Sequence, residues 1–219
     1  VAGLREEAGR AYATFAFGRA AVVYDLVTDH DAWREDCRAM GSLVPVGRVL
    51  DLGVGPGTSA IELARSDPAR WLVGLDVSAR MLRRAAARAR AGGVALPLVR
   101  ADALALPFRT GALDGATGHS LLYLLPDPVA ALAELRRVVR PGGRVAFLEP
   151  RAGAPRALEA ARGGARHLLA MLLWRGMSGL HRRYGEAEAV ALLSRAGFAE
   201  ARAWPVLSGF GLMAGALRP

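Results

Sequence analysis

The chain has 219 residues, 53% hydrophobic and 22% charged, which suits one well-buried core and excludes a disordered or low-complexity polymer. Its formal net charge is +9, yet every basic residue is Arg, and Lys, Asn and Gln are absent. Without Lys there is no Schiff-base or Walker-type phosphate chemistry, and a single cysteine, Cys37, excludes an internal disulfide and cysteine-rich zinc clusters.

The arginines are scattered, densest at Arg83, Arg84, Arg88 and Arg90, where they read as a solvated helix face. With no side-chain amide to read adenine, this pattern argues against a nucleic-acid partner despite the charge. No apolar run reaches the roughly 20 residues of a membrane span. The best one, Leu168 to Trp174, is closed by Arg166 and Arg175, and charges at Arg5, Glu6, Glu7 and Arg10 leave no signal-peptide core. A cytoplasmic protein is expected, with peripheral membrane contact left open.

Glu6 to Phe17 and Val22 to Met40 read as helices around Gly18, unusually aromatic, and able either to lie over a site or to pack on a sheet edge. Arg48 to Leu52 is a short apolar strand that runs into Gly53, Gly55 and Gly57. Helix Thr58–Arg65, strand Trp71–Leu75 ending at Asp76, and helix Ala79–Ala91 capped by Ser78 follow. Next come strand Leu96–Arg100 ending near Asp102, a weaker strand Leu113–Gly118, and a helix from Asp127-Pro128 to Val139. Pro141-Gly142-Gly143 is expected to turn sharply into strand Arg144–Leu148. This alternation predicts a Rossmann-like, doubly wound α/β sheet. Beyond Glu149-Pro150 the pattern changes to a helical insert over residues 155–184, an amphipathic helix Glu186–Ala196, and an antiparallel hairpin of Phe198–Val206 and Phe210–Leu217.

A doubly wound sheet takes its ligand at the carboxyl ends of its strands, where strand order reverses. Three such ends carry an acid here: Asp51 with its glycines, Asp76 and Asp102. The dinucleotide fingerprint would place a third glycine where Thr58 stands, which argues against a nicotinamide oxidoreductase. Asp76 follows Gly53 by 76 − 53 = 23 residues, close to the roughly 20 expected of an acid that holds ribose hydroxyls. Asp102 is placed to accept from an adenine amino group; either acid could instead serve only as a cap.

Four stretches, Val49 to Gly57, Val73 to Ser78 with Met81-Leu82, Arg100 to Phe108, and Val138 to Val145, resemble the class I S-adenosylmethionine-dependent methyltransferases. Within that class they are most similar to the small-molecule branch that includes the ubiquinone and menaquinone biosynthesis enzymes. The resemblance covers roughly residues 46–150 and implies a seven-stranded sheet, mostly parallel with an antiparallel last strand. It implies one methyltransferase domain over 1–219: a helical arm or lid (1–46), a cofactor core (47–150), a helical cap (151–185), and a last helix with the terminal hairpin (186–219). By position, Asp51, Gly53, Gly55 and Gly57 would face the methionine part of S-adenosylmethionine. Asp76 would hold the ribose, Met81 would join the cofactor site, and Asp102 with Ala103 would frame the adenine. His119 would lie beside the sulfonium and the acceptor. Gly118-His119-Ser120 departs from the family, and Pro56 replaces a small polar residue and removes one N–H from the turn.

The implied reaction is methyl transfer from S-adenosylmethionine to a small lipophilic acceptor, on oxygen, carbon or nitrogen, leaving S-adenosylhomocysteine. His119 is the candidate catalytic base, since imidazole titrates near neutrality, although it could merely line the site. No metal site is expected: His30 sits between Asp29 and Asp31, but adjacent residues on a helix diverge. The apolar run around Leu168 to Trp174 could be a buried helix, a cap over the acceptor, or a homodimer surface. Two other functions stay open: an RNA methyltransferase, motivated by the charge, and a non-catalytic S-adenosylmethionine-binding regulatory or assembly protein.

Overall fold

A computed structural model describes residues 31–219. The predicted helix Glu6–Phe17, the first part of the predicted helix Val22–Met40, and His30 lie outside the described residues. The rest of that second helix is α1, Asp31–Ser42. The strands are β1 Arg48–Leu52, β2 Trp71–Asp76, β3 Leu98–Arg100, β4 Leu113–His119, β5 Val139–Pro150, β6 Ala199–Val206 and β7 Gly211–Leu217. The remaining α-helices are α2 Thr58–Ser66, α3 Ala79–Ala91, α4 Pro128–Val138, α5 Ala157–Arg162, α6 Ala165–Ser178 and α7 Glu186–Arg195.

The sheet has the order β3-β2-β1-β4-β5-β7-β6. β1 to β5 pair in parallel, and β7 runs antiparallel to both β5 and β6. The implied antiparallel last strand is therefore present. Strand order reverses between β1 and β4, which pair from Val49↔Gly115 to Leu52↔Gly118. That crevice is where such a sheet receives a ligand.

Period-two alternation feeds two cores. Leu50, Leu52, Val73 and Leu75 point to the face covered by α4 and α7, where Leu132, Leu135 and Leu193 meet them. Val49 and Leu72 point the other way, toward Trp33 and Met40 of α1, Leu63 of α2, and Met171 and Trp174 of α6.

Three predicted boundaries move for local reasons. β3 starts at Leu98 because Pro97 has no N–H to give the ladder, although its carbonyl still accepts from Gly74. Pro141-Gly142-Gly143 does not precede β5 but bulges within it: Val139 pairs with Leu113, and Arg144 pairs with Gly115. The helical insert divides at Gly163-Gly164, where Gly164 takes φ +97°, into α5 and α6.

Candidate functional site

The turn after β1 is shaped by its glycines. Gly53 has φ +67°, and a Cβ there would sit 2.6 Å from Cδ1 of Leu121. Gly55 has φ +52°, and a Cβ there would face open space, 3.8 Å from the nearest heavy atom. The backbone of this turn is therefore open to a ligand at Gly55 and closed by a side chain at Gly53.

Asp76 ends β2 and holds this turn. Its Oδ2 accepts from the N–H of Gly55 at 3.0 Å and its Oδ1 from the N–H of Ser78 at 2.8 Å. Burial raises its pKa, against those bonds. Ser78 caps α3 by accepting from the N–H of Met81, whose side chain is buried. Asp102 lies in the loop after β3, where its Oδ1 accepts from the N–H of Leu104 at 2.9 Å; Ala103 beside it is buried. That loop is fastened to α4: Glu134 accepts from the N–H of Leu106, and Arg137 donates to the carbonyls of Leu106 and Phe108.

Asp51 is buried in β1. Its oxygens accept from Ser59 Oγ at 2.7 Å and Thr117 Oγ1 at 2.9 Å, tying β1 to α2 and β4. Burial lifts its pKa to about 6, the two hydroxyl bonds notwithstanding. So enclosed, this carboxyl fastens the helix after the turn and the neighbouring strand to β1.

His119 ends β4, one residue past the Leu52↔Gly118 pair. Its imidazole is walled by two tryptophans, with ring centroids 4.7 Å from Trp33 of α1 and 6.4 Å from Trp174 of α6; the tryptophans meet edge to face at 5.0 Å. Among the described residues, His119 Nε2, Ser120 Oγ and Trp174 Nε1 are sealed from solvent and find no hydrogen-bond partner. Desolvation pushes the His119 pKa down to about 4, so the ring is neutral at pH 7. His119 Nε2 and Trp174 Nε1 belong to one aromatic cluster, and buried polar atoms left unpaired call for a partner.

One component was missed from the sequence. Glu149, buried near the end of β5, accepts from the N–H groups of Leu121 and Leu122 at 3.0 and 2.9 Å and of Tyr123 at 3.4 Å. It thereby fixes the segment that follows His119 and carries the Leu121 side chain over Gly53. Burial raises its pKa to about 7. An acid at the end of the apolar run Val145 to Leu148 is the same signal that marked Asp51 and Asp76, and it was legible. Trp33 and Trp174 carried no such signal. Among the described residues no group of three or more His, Cys, Asp or Glu could hold a metal ion.

The strand order, with β7 antiparallel, is the fold of solved S-adenosylmethionine-dependent methyltransferases, and the glycine turn lies at its switch point. Residues 49–143 match the family model described as a methyltransferase domain. The chain resembles the quinone-biosynthesis methyltransferases, as its motifs implied. It is 42% identical over 102 residues to a demethylmenaquinone methyltransferase of Thermus thermophilus, covering 47% of this chain and 46% of that one. It is 40% identical over 117 residues to one of Mycolicibacterium vanbaalenii, covering 53% and 48%. The chain thus spans about half the length of these curated relatives. The fold is shared with a methyltransferase of Aquifex aeolicus (TM-score 0.65, 18% identity, 89% of this chain and 92% of that one). It is also shared with Haemonchus contortus phosphoethanolamine N-methyltransferase 2 (TM-score 0.71, 13% identity, 96% and 60%).

Proposed function

We propose that this protein transfers a methyl group from S-adenosylmethionine to a small lipophilic acceptor. The observation that carries the reading is the line of groups along the carboxyl ends of β1 to β4: an open glycine turn, Asp76, Asp102, and a sealed, unpaired His119 Nε2. The residues would suit the cofactor: no side chain crowds the backbone at Gly55, and the unpaired buried atoms at His119 and Trp174 would gain partners.

Bound S-adenosylmethionine would supply an electrophilic methyl group on a sulfonium. Asp76 would accept from the ribose hydroxyls with lone pairs not used by Gly55 and Ser78. Asp102 and Ala103 would flank the adenine, Met81 would pack beside it, and Gly53 to Gly57 would admit the methionine part. Asp51 and Glu149 would act at one remove, by fixing the turn and the β4 loop. Trp33 and Trp174 would exclude water and present an apolar wall to the acceptor, leaving the in-line approach to be set by positioning. His119 Nε2, a neutral acceptor, would take the acceptor's proton or hydrogen bond. A depressed pKa makes it a weak base, so its larger share is orientation. The demethylmenaquinone methyltransferases among the relatives support an apolar acceptor. The reading places the reaction in the cytoplasm.

Isothermal titration of the chain with S-adenosylhomocysteine tests the reading. Binding in the micromolar range that is lost in Asp76→Ala is expected; no heat and no thermal shift with either form of the cofactor would refute it.

A further inference from the structure

We propose that the outer face of the α5–α6 insert docks on an anionic lipid surface. Helix α6 is apolar on two sides. Its inner side, Ala170, Met171 and Trp174, is buried against the core beside His119. Its outer side carries Leu169, Leu172 and Leu173, which are 55%, 48% and 39% exposed and follow one another at helical spacing. Leu158 on α5 and Leu180 just past α6 are exposed too, at 76% and 81%. Five exposed leucines in one short segment exceed the scattered apolar residues of an ordinary surface.

The charge around the patch selects the occupant. Between residues 156 and 183 the chain has six arginines and one acid, Glu159; Arg162, Arg166 and Arg182 are exposed, Arg156 pairs with Glu159, and Arg175 and Arg183 turn back to donate to backbone carbonyls. Leucines set among arginines match an interfacial helix lying at the headgroup boundary, with the cations on anionic lipid. A twofold dimer through this face would set each arginine rim against its own copy, which like charge disfavours. A bare nucleic-acid backbone gives the leucines nothing to bury against. Among the described residues no helix is long and apolar enough to cross a membrane, so the contact is on the surface. The helix that walls His119 on its inner side would then touch lipid on its outer side. Docking itself does not depend on methyl transfer.

The test is co-sedimentation of the chain with vesicles of phosphatidylcholine alone and of phosphatidylcholine mixed with phosphatidylglycerol. Pelleting with the mixed vesicles is expected. It should weaken as salt rises and fall about tenfold or more in Leu169→Ser/Leu172→Ser, whose side chains are solvent-exposed in the fold. Arg162→Glu should weaken it without touching a leucine. Circular dichroism and thermal melting would verify that both variants fold, independently of cofactor binding. No pelleting with either vesicle, equal pelleting with both, or undiminished pelleting of the leucine variant would overturn the proposal. So would a lipid-free dimer, seen by light scattering, that the leucine substitutions abolish, since the face would then belong to a second copy.

Discussion

Gly53 and Gly55 share a left-handed backbone but differ in what lies beyond the missing Cβ. In Gly53→Ala the methyl meets Leu121 and φ is unfavourable, so folding stability should drop by on the order of 1–3 kcal/mol in chemical denaturation. In Gly55→Ala the methyl enters open space, so the stability cost is backbone strain alone, about 1 kcal/mol, while cofactor affinity should fall further than stability does. Finding the two variants equal in both measurements would contradict an open turn. His119 gives a pH signature at the same scale. Its pKa falls from 6.5 to about 4 on folding, so the unfolded chain takes up a proton first as pH falls. Its contribution is intact above pH 6.5 and is lost as pH drops toward 4. Relative to His119→Phe, the wild type should lose on the order of 3 kcal/mol across that window, read from denaturation midpoints at each pH. Parallel profiles would mean that the imidazole is hydrated.

At the scale of elements, the site depends on two clamps. Glu149 gathers three backbone N–H groups of the segment after β4. Glu149→Ala leaves them buried without partners and should cost on the order of 3 kcal/mol, with lower turnover, because that segment directly follows His119. Glu149→Gln keeps an acceptor oxygen and should be far milder. Its sign with pH is opposite to that of His119: a carboxyl raised from 4.5 to about 7 costs stability as pH rises through that interval, and Gln should flatten that slope. The second clamp is Glu62 of α2, buried, which accepts from Arg38 of α1 at 3.1 and 2.8 Å. It holds the helix that brings Trp33 to His119. The Arg38 side chain is half exposed, so Glu62→Gln should cost only about 1 kcal/mol. It should nevertheless raise KM for the acceptor while leaving cofactor affinity unchanged; an unchanged KM would show that Trp33 is held by packing alone.

For the molecule as a whole, the parallel sheet was legible because each buried strand is a short apolar run ending at an acid or a glycine. β1, β2 and β4 were found within a residue on that basis, and α3 at its full extent. The bulge in β5 was not, since Pro141-Gly142-Gly143 reads as a turn until Leu113 is seen to pair before it. Nor was the aromatic wall, because Trp33, His119 and Trp174 lie on three elements far apart in sequence and only the packing of α1 and α6 over the sheet brings them together. The two-sided apolar character of α6 also hid its division into a buried side and an exposed one. The scattered charge belongs to this scale as well: some arginines are held in ion pairs, such as Arg151 with Glu186 and Arg140 with Asp114, and so have a structural partner within the fold. In the proposed reaction the carboxyl ends of β1 to β4 form one continuous methyl-donor site. A crystal structure with S-adenosylhomocysteine tests it most directly. The ribose hydroxyls are expected on Asp76, the adenine beside Asp102 and Ala103, and the sulfur facing the space bounded by His119, Trp33 and Trp174. A nucleoside bound away from Asp76, or a sulfur turned from His119, would contradict it.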